Sequence, residues 1–122
     1  MLRAMNNTND LKNKWIKILD ILSIQFNDGE PLDLENVIYL IGVQELGQTD
    51  SKFSKDQKLD LMHVAICRLL EPFGFYQFEY IDNDGWPHYK VINKLPNLKS
   101  GEQTLLMKEA VINYFIEKEL IQ

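Results

Sequence analysis

Apolar positions recur with a period near 3.6 over two stretches of this chain and near 2 over one, and two further stretches are apolar nearly all round. In the first stretch, Asp10 to Phe26, the residues Leu11, Trp15, Ile18, Leu22 and Phe26 share one helical stripe, with Leu19 beside it. Lys12, Lys14, Lys17 and Asp20 occupy the remaining surface. Asp10 is expected to cap this helix, because its carboxylate can accept from the orphan N–H groups of the first turn. The turn formers of Asn27-Asp28-Gly29-Glu30-Pro31 are expected to stop it. The second stretch runs from Asp33 to Leu46, with Asp33 as N-cap, Leu32 and Val37 at the spacing of a hydrophobic staple, and Gly47 as the stop. Its centre, Val37 to Val43, is apolar on every side and would suit a buried strand as well as a central helix. Length and two capping signals favour the helix. The third stretch opens at Ser54, which forms a capping-box pair with Gln57. Leu59, Met62, Ile66, Leu69, Leu70 and Phe73 give it one broad face, and Pro72 ends it near Leu70 to Glu71.

The period then changes. From Phe75 to Ile81, the aromatic residues Tyr76, Phe78 and Tyr80 alternate with Gln77 and Glu79, as in a strand. Asp82-Asn83-Asp84-Gly85 is a turn, and Trp86 to Ile92 can return as the second strand, with Pro87 confined to an edge or bulge. Ser100 and Gln103 supply another capping box, opening a last helix from about Gly101 to Leu120. That helix is apolar around nearly its whole circumference, so it is either central or meets another subunit on one side. The fold expected is α+β, mainly α: four helices with one β-hairpin between the third and fourth. Residues 1–9 are expected to be a flexible N-terminus and 10–122 a single compact domain. The expected core comprises Trp15, Leu22, Val37, Ile38, Ile41, Met62, Ile66, Leu69, Phe78, Val111 and Phe115.

Composition supports a globular reading. The chain has 122 residues, 45% of them apolar and 25% charged, which excludes collagen-like, low-complexity and wholly disordered classes. Cys67 is the single cysteine, so no intrachain disulfide can form and a reducing compartment is favoured. The Asn-rich start lacks the apolar stretch of a signal peptide, and the uncharged run Val37 to Val43 falls far short of the roughly 20 residues of a membrane helix. A cytoplasmic location is expected. The net charge of −5 is uneven: Asp28, Glu30, Asp33, Glu35, Glu45 and Asp50 lie in residues 27–51 with no basic residue among them. A solvated face accounts for such a run, and docking to a basic partner is the alternative.

Few residues carry a chemical signal. His63 and Cys67 are spaced i, i+4, which can place two ligands on one metal ion, and Glu71 extends the row by a turn; His88 could join them. A border histidine and a small buried thiol explain the same pair, so no metal is expected. Asp82-Asn83-Asp84-Gly85 resembles half of a calcium loop, but Tyr80 stands where the first ligand belongs. Trp86, Pro87, His88 and Tyr89 at the hairpin tip, with Tyr114 and Ile121 of the last helix, are the interaction candidates, since large aromatic side chains dominate interface energetics. No phosphate loop, nucleophile elbow, HExxH pair or CxxC is present; no cofactor is implied and no catalytic residue is assigned. The reading reached is a non-enzymatic protein-interaction or adaptor module, self-associating or bound to a protein partner and away from the membrane. One alternative is a metal-dependent enzyme at His63, Cys67 and Glu71. The other is nucleic-acid binding, because the element order resembles that of winged-helix proteins. In that comparison Lys52, Lys55, Lys58 and Arg68 would meet phosphate. The two Asp at the tip and the negative net charge count against nucleic acid.

Overall fold

Capping chemistry sets where the helices begin. The structure, a computed structural model, describes residues 8–48 and 52–120. Along them lie α1 (Thr8–Phe26), α2 (Leu34–Leu46), α3 (Lys55–Leu70), β1 (Tyr76–Ile81), β2 (Pro87–Val91) and α4 (Ser100–Glu117). The chain is therefore mainly helical, with one antiparallel hairpin between α3 and α4, as the periodicity implies. Residues 37–43 belong to a helix. Asp33 caps α2: its carboxylate accepts from the Asn36 N–H at 2.8 Å, and the Asn36 side chain accepts from the Asp33 N–H at 3.1 Å. Ser54 and Gln57 make the expected box on α3, at 3.2 and 2.9 Å. Two cap assignments change. Asp10 lies inside the first turn of α1 and pairs with Lys14 at 3.2 Å. α4 starts one residue early, so Lys99 is its N-cap, and Glu102 accepts from the Lys99 N–H at 2.9 Å.

The described chain divides into two units, the cut falling within α2 between Val37 and Ile38. The first unit is built from α1 and α4, which pack on each other. Leu11, Trp15, Ile18 and Leu22 are the buried stripe of α1, and the Lys108 ammonium of α4 sits over the Trp15 ring at 5.4 Å. Phe26, read as the end of that stripe, is 55% exposed, because the helix stops there and the chain reverses through Asp28 and Gly29 at positive φ. On α4, Leu106, Glu109, Ala110, Val111, Ile112, Tyr114 and Phe115 are buried, positions that together span most of a helical circumference. Burial within the chain takes up much of its apolar excess, while Leu105 and Leu120 stay exposed.

The second unit holds the remainder of α2, all of α3 and the hairpin. α3 packs on both strands. Gly42 of α2 lies so close to α3 that a Cβ there would run into the Leu61 backbone carbonyl, and Glu45 and Arg68 tie the same two helices at 3.6 Å. This close approach turns α3 away from the expected orientation. Leu61, Val64, Ala65, Cys67, Leu69 and Leu70 are buried, whereas Met62, Ile66 and Phe73 are half-buried and Leu59 is 60% exposed.

The hairpin pairs Phe78 with Tyr89 and Tyr80 with His88, leaving Glu79 as a bulge residue. Directly opposed residues share a face of the sheet, so the bulge moves Tyr80 off the face that carries Tyr76 and Phe78. The expected three-aromatic face is thus broken. Phe78 also leaves the expected core: it is 42% exposed, its ring edge-on to Tyr89 at 5.7 Å.

Candidate functional site

The hairpin tip is organised by one carboxylate. Asp82 Oδ1 accepts from the backbone N–H of Asp84 at 2.9 Å and of Trp86 at 3.0 Å, while Oδ2 lies 2.8 Å from His88 Nε2. Gly85, at φ 89°, completes the reversal where an ordinary residue would be strained. His88 and the two N–H groups stabilise the ionised form and hold the Asp82 carboxyl below the ordinary carboxylate value, His88 contributing most. The His88 ring stacks on Tyr80 at 4.5 Å with the two planes nearly parallel, so the bulge that displaced Tyr80 supplies the platform for the imidazole. The Gln48 amide donates to the Asp84 carbonyl at 3.4 Å.

Opposite the tip lies α3. His63 Nε2 is 3.5 Å from Cys67 Sγ, and the His63 ring meets Tyr76 edge-on at 6.4 Å. Cys67 is 1% exposed, and burial pushes its thiol up to about 11. It is a protonated, inaccessible thiol rather than an activated nucleophile. Burial also raises the Tyr89 phenol to about 12, with the charges of Glu45 and Glu71 adding to the effect and Arg68 opposing it.

These two walls enclose a cleft of about 460 Å³, within the size range of small-ligand sites, roughly 300–1,000 Å³. Trp86, Pro87, His88 and Tyr89 line it from the hairpin; His63, Val64 and Cys67 line it from α3, with Gln57 and Asp60 nearer the start of that helix. The four interaction candidates of the tip therefore share one cavity with the histidine–cysteine pair. No family model, curated protein or solved structure matches this chain.

The remaining candidates lie elsewhere. Glu71 does not reach the cleft; its Oε2 accepts from the Phe78 N–H at 2.9 Å and clasps the start of β1 to the end of α3. Among the described residues no group of three or more His, Cys, Asp or Glu side chains is placed to hold a metal ion. Tyr114 is 3% exposed, its ring edge-on to Phe115 at 5.6 Å, which makes it a core residue instead of a surface anchor. Ile121 lies outside the described residues. No described helix is long and apolar enough to cross a membrane. Sequence reading missed Asp82 as the organiser of the tip and Asp60 as a lining residue. For Asp82 a signal was available, since Asp at the start of an Asx-type turn commonly accepts from N–H groups two residues on. Asp60 had none, because its place depends on which side of α3 the hairpin covers.

Proposed function

We propose that this chain is a non-catalytic binding module whose recognition site is the cleft between α3 and the hairpin. The convergence of Trp86, Pro87, His88 and Tyr89 with His63 and Cys67 on one cavity carries this reading. Half-buried aromatic and proline surface, bordered by a few polar groups held in place, is the composition of a recognition site. The state of Cys67 supports occupancy over covalent chemistry, since a buried thiol near 11 supplies almost no thiolate at neutral pH. The Asp82–His88 pair could orient an imidazole for proton transfer, but the thiol that lines the cleft, Cys67, is engaged with His63. A protein partner inserting a side chain fits the cleft better than nucleic acid does. The net charge of −5 and the acidic tip disfavour a polyanion. A single reduced cysteine supports a cytoplasmic setting.

The test is chemical-shift mapping of the full chain with butylammonium, 1-butanol, butyrate and indole as probes. At least one probe is expected to shift the signals of Val64, Trp86, His88 and Tyr89 together. If every probe leaves all four unmoved, the cleft is not a recognition site.

A further inference from the structure

The cleft also has a sign. Resting on its reading as a binding site, we propose that it selects an organic cation, a primary ammonium or a guanidinium on an aliphatic stem.

Among the described residues, those that line the cavity include the carboxylates Asp60 and Asp82 and no Lys or Arg. The two carboxylates have different tasks. Asp82 spends both oxygens on the Asp84 and Trp86 N–H groups and on His88, so it is a fixed negative charge that has little room for a further partner. Asp60 is exposed on α3 and has no ion pair or hydrogen bond to any described residue, which leaves its carboxylate open to an incoming cation. Trp86 supplies the second element of cation recognition, a large π-system at a half-buried site, and its backbone is anchored at both ends: its N–H on Asp82 and its carbonyl accepting from the Asp82 N–H at 2.9 Å. An anion finds no comparable partner. The N–H groups of the tip that could cradle one are already held by Asp82.

Two sources offer this chemistry: a basic side chain of a partner polypeptide, or a free small amine. Titrations of the full chain followed by NMR separate them. Butylammonium is expected to bind at the Asp60 and Trp86 signals about fivefold more tightly than its neutral isostere 1-butanol, with butyrate silent. Asp60→Asn should remove most of that preference. Trp86→Phe should retain it and Trp86→Ala lose it, which separates the ring's role from a merely structural one. If N-acetyl-Gly-Arg-Gly-amide binds about tenfold more tightly than methylguanidinium, the cation arrives on a polypeptide; equal affinities assign a free amine. Equal binding of butylammonium and 1-butanol overturns cation selection while leaving the cleft a binding site. Silence from every probe defeats both.

Discussion

At 1% exposure and with a thiol near 11, Cys67 is a buried group that spacing alone presents as reactive. At pH 8 roughly a thousandth of it is thiolate, so the native protein should resist Ellman's reagent for hours and react with one equivalent at once in denaturant. Rapid native labelling would contradict the structure at this residue. Asp82 is the opposite case, a half-buried residue whose partners make it consequential. Its folded value lies below the ordinary 3.8, so its contribution is present above 3.8 and is lost as pH falls through the lower folded value. The carboxyl carbon of Asp82 should titrate below 3.8, and in His88→Ala the midpoint should move up without returning fully, because the N–H bonds from Trp86 and Asp84 remain. A wild-type midpoint at or above 3.8 would refute this network.

At the scale of elements, contact between α2 and α3 depends on the missing side chain at Gly42. Gly42→Ala would drive a methyl group into the Leu61 carbonyl and should cost about 2 kcal/mol or more, seen as a lower urea midpoint. An unchanged midpoint would mean the helices are further apart than described. Ser54→Ala, which removes one capping bond from α3 and touches no core, should cost about 1 kcal/mol. Elements of this kind were largely legible from local rules: stripes such as Leu11, Trp15, Ile18 and Leu22, and caps such as Asp33 and Ser54, are short-range chemistry. The errors came where long-range contact decides. No pattern in Tyr76 to Tyr80 announces that Glu79 is a bulge, and a strict alternation misplaces Tyr80 as a result. The face of α3 was misjudged because Gly42, distant in sequence, selects which side packs. His63 and Cys67 were visible as a pair, and Trp86 to Tyr89 as a cluster, but their meeting in one cleft is a product of the hairpin's seat on α3.

At the scale of the whole molecule, pH acts through a buried acid. Glu109 on α4 is 6% exposed, and its Oε2 has no hydrogen-bond partner among the described residues. Desolvation raises its carboxyl above the ordinary 4.5. The folded chain therefore holds this proton more tightly than the unfolded chain, and stability falls as pH rises from 4.5 through the folded value. Glu109→Gln should stabilise the protein at pH 7 by on the order of 1 kcal/mol and have little effect at pH 4, as measured by denaturant unfolding at the two pH values. A destabilised variant at pH 7 would show that the carboxylate has a partner.

The two tryptophans of the chain lie in different units, Trp15 under Lys108 in the first and Trp86 in the cleft of the second. The protein therefore carries an intrinsic fluorophore in each half. With Trp15 replaced by Phe, emission reports only on the cleft; with Trp86 replaced, only on the α1–α4 pair. Each half can then be observed as it melts or binds, with no dye attached.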